Sequence, residues 1–207
     1  MLIIVGAARS GFGYITKVIQ NALSKDVLHE RYGRDGIAAW WIPDRQGDKK
    51  YTANVGRAQN KTFIHQVRYP LYSISSNVPR VKRQWQAVPW CHSDDSDIVK
   101  AAKCWLWYNE KAEGFPVQAR WQVEELFHGY LMELCGILDV VYTERIHNLA
   151  RTVSKTTNSS YRCGNSTKRY DTRLTWDQLL EECGYDLGSK IALKSKEYGY
   201  DKYEFPL

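Results

Sequence analysis

The sequence predicts an α/β fold: a doubly wound, mainly parallel sheet with helices on both faces. Three observations carry this. The chain opens on a fully apolar run, Leu2 to Val5, the mark of a buried parallel strand. A glycine-bearing turn, Gly6 to Gly13, leads from it into Ile15, Val18, Ile19, Ala22 and Leu23, which recur at helical spacing. Downstream, short apolar runs alternate with helix-patterned segments.

In chain order, residues Asp26 to Glu30 read as a short second strand whose end carries His29 and Glu30. Gly33 and Gly36 flank a charged turn, and an apolar stretch follows from Gly36 to Trp41. Residues 43–60 are polar and read as a loop. Thr62 to Val67 is the next strand, closed by Arg68, and Pro70 starts a helix that runs to about Asn77. Residues 78–96 mix Pro, Arg, Lys, Trp and an acidic cluster, which predicts a mobile segment on the substrate side. Asp97 to Glu113 is a helix with Ile98, Ala101, Ala102, Trp105 and Tyr108 on one face. Then come a strand, Val117 to Val123, and helices over Glu124 to Leu138 and Thr143 to Val153. Residues 154–172 are rich in Ser, Thr, Asn and Arg and read as a long loop. Two final helices cover Leu174 to Cys183 and Leu187 to Tyr198, where Gly199 stops the chain's last helix. No linker or repeat divides the sequence, so residues 1–207 are expected to form a single domain.

Composition narrows the function. Apolar content of 43% with 25% charge is that of a globular protein. No apolar run reaches 18 residues, which excludes a conventional membrane-spanning helix. The short apolar start lacks the form of an export signal, so a cytoplasmic location is expected. The five cysteines, at 91, 104, 135, 163 and 183, show no C-x-x-C spacing and predict free thiols rather than a zinc site. A net charge of +6 suits an anionic ligand. The basic residues are dispersed and match no nucleic-acid motif, so no nucleic-acid partner is expected.

A strand, a glycine loop and a helix together make an anion cradle, because loop amides and the helix N-terminus converge on one spot. Gly6 and Gly11 have the spacing of G-x-x-x-x-G-K-[ST], which predicts a P-loop-like nucleotide-binding fold. Phe12 and Gly13 stand where the Lys and the metal-binding hydroxyl belong, and Arg9 sits inside the loop. The expected ligand set is therefore Ala8, Arg9, Ser10, Gly11, Phe12, Gly13 and Tyr14, with no metal.

This loop resembles the 5′-phosphosulfate loop of the sulfotransferases that use 3′-phosphoadenosine 5′-phosphosulfate (PAPS), in the form Gly-x-x-(Arg/Lys)-Ser-Gly. A second motif is more specific: Arg68, Pro70 and Ser76 reproduce the family's Arg-x-Pro with a serine eight residues after the arginine. The resemblance implies that Arg68 and Ser76 bind the 3′-phosphate of PAPS or of adenosine 3′,5′-bisphosphate. It also implies metal-free transfer of a sulfuryl group to the hydroxyl of a glycan, glycolipid, peptide or small metabolite. Such transfer needs a base for the acceptor proton. Glu30 is the first candidate and His29 the second, with His65 and His92 behind them, and Arg9 supplies catalytic charge. Two departures stand out. Phe12 and Gly13 replace the family's threonines, for which Thr16 is a possible substitute. The family's closing Arg-Lys-Gly segment is absent, with Arg162, Lys168 and Arg169 the candidates to replace it. Rival readings are a nucleotide or metabolite kinase with a degenerate P-loop, and a nucleotide-binding protein that has lost catalysis.

Overall fold

The structure is a computed structural model that describes residues 1–44, 49–56, 60–153 and 173–201. The 154–172 segment, with Arg162, Lys168 and Arg169, lies outside the described residues. Five strands form one all-parallel sheet in the order β2-β3-β1-β4-β5. They are β1 (Leu2–Val5), β2 (Val27–His29), β3 (Gly36–Ala38), β4 (Thr62–Val67) and β5 (Val117–Gln122).

The alternation of side chains along β1 divides the core. Leu2 and Ile4 face α1 (Phe12–Leu23), while Ile3 and Val5 join a second layer with Ala112 and Phe115 at the end of α4 (Asp97–Glu113). Beside α1 lie α5 (Leu131–Ile137) and α6 (Glu144–Thr152). The opposite face carries α3 (Pro70–Asn77), α4 and α7 (Trp176–Glu197). Helices on both faces of a parallel sheet are the doubly wound fold expected of the sequence. Every residue of β1 is buried, as a central parallel strand requires. Among the described residues no helix is long and apolar enough to cross a membrane.

Five segments differ from the sequence expectation, one of them the helix expected from Glu124 to Leu138, where a 3₁₀ turn (Val123–Glu125) and a π turn (Leu126–Tyr130) precede α5. The apolar stretch from Gly36 contains β3, inserted between β2 and β1, so β2 is not the neighbour of the strand that feeds the glycine loop. The return from β2 to β3 is short because both strands have three residues. Asp26 and Asp35 close it by accepting one another's main-chain amides and that of Arg34. Residues 42–44 form a 3₁₀ turn, Lys49–Tyr51 a helical turn (α2) and Thr52–Gly56 a π turn, within a region expected to be plain loop. The 78–96 segment is anchored rather than loose: it forms 3₁₀ turns over Val78–Arg83 and Trp85–Ala87, and Val81, Val88 and Cys91 are buried against α4. The two closing helices run together as α7, kinked at Gly184, whose φ of 72° is non-helical.

The tryptophans sort largely as packing demands. Trp105, Trp121 and Trp176 are buried, whereas Trp40, Trp41, Trp85, Trp90 and Trp107 are half-buried. Cys91, Cys104, Cys135 and Cys183 are free thiols, and burial raises the pKa of each.

Candidate functional site

The site is built at the carboxyl ends of the strands, where doubly wound sheets bind ligands. Residues 6–11 leave β1 and turn into α1. Gly6 has φ 151°, and a Cβ there would stand 2.3 Å from the carbonyl oxygen of Gln66. Gly11, the N-cap of α1, has φ 88° and is pressed against Val123, whose Cγ2 would lie 2.7 Å from an added Cβ. Neither position accepts a side chain without movement.

Between these glycines, three successive carbonyls are pulled outward by side chains from β4 and α3. Ser73 Oγ donates to Ala8 O at 3.0 Å, Arg68 Nη1 to Arg9 O at 3.1 Å, and Gln66 Nε2 to Ser10 O. Because the C=O and N–H of a peptide point opposite ways, the bond to Ser10 O turns the Gly11 amide away from β4; the Ser10 amide donates back to Ala7 O at 3.3 Å. The amides of Gly11, Phe12 and Gly13 have no partner among the described residues. They belong to the start of a twelve-residue helix, where negative charge is favoured. Ser10 Oγ is fully buried and has no partner in the structure. A buried hydroxyl without a partner is costly, and here it sits next in sequence to the Gly11 amide. Arg9 itself is left-handed, φ 68°, and its side chain donates from Nε to Ser76 Oγ at 2.9 Å.

Arg9, Arg68 and Ser76, separated by up to 67 residues in the chain, are thus directly hydrogen-bonded in one cluster. Arg68 is half-buried, and this burial pulls its pKa down, while Glu124, 4.0 Å from its Nε, pushes the other way. Its Nη2 has no partner among the described residues. The donor set therefore fits a ligand with two anionic groups: the amides of Gly11, Phe12 and Gly13 with Ser10 Oγ for one, Arg68 and Ser76 for the other.

Some expected ligands contribute only main chain, or nothing. Phe12 and Tyr14 point their side chains into the core beside α1, and the Tyr14 amide is already bonded to Gly11 O. Thr16 is no substitute for the missing threonines, because its hydroxyl donates back to Phe12 O and Gly13 O within α1. His65 is fully buried beneath the loop; burial lowers its pKa to about 4. It is clamped between Asn109 Oδ1, 3.0 Å from Nε2, and Arg120 Nε, 3.4 Å from Nδ1. His92 is exposed near the start of α4.

His29 and Glu30 end β2. Strand alternation would send them to opposite faces, yet Glu30 has already left the strand with φ 55°, and its carboxylate returns to within 3.6 Å of His29 Nε2. Burial lowers the His29 pKa; Glu30 opposes this, and the guanidinium of Arg9 adds to it, which places the end of β2 within electrostatic reach of the loop. Glu30 Oε1 accepts the indole N–H of Trp40 at 2.8 Å.

Several participants have no local signature in the sequence. Asn109 of α4 accepts both the Ala7 amide at 3.2 Å and His65 Nε2, fixing the loop's first peptide. Gln66 and Ser73 set the loop's carbonyls. Glu124 accepts the Tyr69 amide and the Tyr200 hydroxyl beside Arg68. Arg173 lies over the Tyr72 ring, 4.7 Å from its centroid, and its charge reaches Arg68.

No protein-family model and no curated protein matches the sequence. Among solved structures, the chain is similar to the sulfotransferase domain from the Synechococcus PCC 7002 olefin synthase, with 12% sequence identity and a TM-score of 0.50. The match covers 100% of this chain and 95% of that one. The likeness is one of fold: this chain has a sulfotransferase-like fold.

Proposed function

We propose that the chain is a PAPS-dependent sulfotransferase acting on a hydroxyl-bearing acceptor, its 207 residues working as one catalytic domain. The observation that carries this is the cluster of Arg9, Arg68 and Ser76 at the joined ends of β1 and β4, beside the glycine loop. Two anion subsites, one on a glycine loop and one on a half-buried arginine, suit a nucleotide carrying both a 5′ and a 3′ phosphate group. The donor supplies a sulfuryl group already activated by its bond to phosphate.

The chain's residues do the rest. The amides of Gly11, Phe12 and Gly13, with Ser10 Oγ, hold the 5′ end. Arg68 Nη2 and Ser76 hold the 3′-phosphate, for which a guanidinium fork is better shaped than an ammonium. Arg9 lies between the subsites and opposes the charge that develops as adenosine 3′,5′-bisphosphate leaves. Glu30 takes the acceptor's proton while the acceptor oxygen bonds to sulfur and the sulfur–phosphate oxygen bond breaks. The loop has no hydroxyl where a P-loop binds its metal, since Gly13 stands at that position, and Phe12, at the lysine's, is buried.

Titration calorimetry with adenosine 3′,5′-bisphosphate and with adenosine 5′-monophosphate tests the cofactor. The bisphosphate is expected to bind more tightly, with and without EDTA. Arg68→Ala is expected to remove most of the difference, about 2 kcal/mol for a charge-assisted contact. Equal affinities in the unsubstituted protein would overturn the assignment.

A further inference from the structure

The residue that donates to Glu30 is one the sequence places in or beside a loop. Trp40 follows β3, the strand lying between β2 and β1, so it stands between the end that carries Glu30 and the strand that feeds the Arg9 loop. Its ring is fastened from behind: it meets Tyr108 of α4 edge-to-face, with centroids 5.1 Å apart, and packs against the core on both sides of the sheet. Tyr108 is fully buried and donates its hydroxyl to Gln84 O. The indole is thus held by the interior while its N–H reaches out to an exposed carboxylate.

The carboxylate is used unevenly. Both its neighbours meet the same oxygen: Trp40 Nε1 donates to Oε1 at 2.8 Å, and His29 Nε2 lies 3.6 Å from Oε1. Oε2 has no hydrogen bond or ion pair among the described residues. The backbone keeps this arrangement in place, since the Glu30 amide donates to Ala38 O at 3.0 Å, two residues before Trp40. A side chain with several free torsions is thereby reduced to one presented atom.

We propose that Trp40 is a positioning residue for the base: its indole N–H fixes Oε1 of Glu30, so that Oε2 is the atom that receives the acceptor's proton. The proposal rests on the reading of Glu30 as base. The other charged groups around it are His29 on the same strand, Arg31 next in sequence and Arg9 from the loop, whose charges act together at His29.

The first test needs no nucleotide. In the full chain, the Trp40 indole proton is assigned by NMR from the signal lost in Trp40→Phe and followed with pH. Its resonance is expected to move with one acidic transition in the unsubstituted protein and in His29→Gln, and to stay flat in Glu30→Gln. An indole signal that is flat in the unsubstituted protein would overturn the contact. The second test is turnover of PAPS with water as acceptor, read as release of adenosine 3′,5′-bisphosphate. Trp40→Phe is expected to lower kcat roughly tenfold or more, as loss of a hydrogen bond to a charged group does, with KM for PAPS unchanged. In a Glu30→Gln background the same substitution is expected to add nothing. Independent, multiplying losses would show Trp40 acting without Glu30 and overturn the proposal. Full turnover in Glu30→Gln, with the indole resonance of the unsubstituted protein moving with pH, would instead sink the base assignment, leaving the contact as architecture only.

Discussion

His65 sets the entry of the glycine loop from below. Arg120 donates to its Nδ1, so that nitrogen carries no proton, and Nε2 is left to donate to Asn109 Oδ1, which also receives the Ala7 amide. Protonation at Nδ1 would break the Arg120 contact and place a charge in a fully buried site. The folded pKa, about 4, is below the ordinary value of 6.5, so the unfolded chain binds the proton more readily. The imidazole's contribution to stability is therefore complete above pH 6.5 and is lost as pH falls toward 4. The gap corresponds to about 3 kcal/mol. His65→Gln is expected to flatten the difference in unfolding free energy between pH 7 and pH 4, measured by urea denaturation at each pH. An unchanged acid slope would show that the imidazole is not the titrating group. Arg173 acts at longer range. Being exposed, it is expected to add about 1 kcal/mol or less to binding of the bisphosphate. Arg173→Ala should weaken the bisphosphate more than the monophosphate, and equal weakening would place its charge away from the 3′-phosphate.

At the scale of elements, the strand–loop–helix unit of residues 2–23 was legible because every part of it is local. The apolar run, the two glycines and the helical spacing are contiguous, and Arg68 with Ser76 needed only a strand end and a proline-started helix. The role of β3 was not legible. Gly36-Ile-Ala38 has three residues and no alternation, and its insertion between β2 and β1 follows from pairing, not from composition. That insertion is what brings Trp40 to Glu30. Asn109, Gln66, Ser73 and Glu124 were missed for a related reason. Each reads as an ordinary polar residue, and its partner lies between about 55 and 102 residues away. The best test at this scale is the loop–helix junction. Gly11→Ala would put a Cβ against Val123 and force φ 88° on an L-residue. It is expected to cost about 1–3 kcal/mol in stability, read by chemical denaturation, and to weaken bisphosphate binding in parallel by displacing the amides of α1. Full binding in a destabilised protein would show that those amides do not hold the ligand.

Over the whole molecule, the site joins parts that the sheet alone links only through main-chain pairing. The loop leads from β1 into α1, which packs in the α1–α5–α6 layer, while its own Ala7 packs with the α3–α4–α7 layer; Ser73 and Ser76 belong to α3 in that layer, and Arg68 lies between β4 and α3. A ligand that takes its 5′ end from one set and its 3′-phosphate from the other would clamp the two layers together. The net charge of +6 adds a favourable background for such an anion. Binding to the folded state alone raises stability by mass action, by about 3 kcal/mol at a ligand concentration one hundred times Kd. For a chain of this size each kcal/mol is worth about 2–4 °C in Tm. Saturating adenosine 3′,5′-bisphosphate is therefore expected to raise Tm by about 5–10 °C by calorimetry, with or without EDTA, and adenosine 5′-monophosphate at the same concentration by clearly less. Arg68→Ala should bring the two shifts together. A shift that appears only with Mg²⁺ would turn the assignment toward a metal-nucleotide enzyme, and equal shifts from both nucleotides would remove the 3′-phosphate subsite from the account.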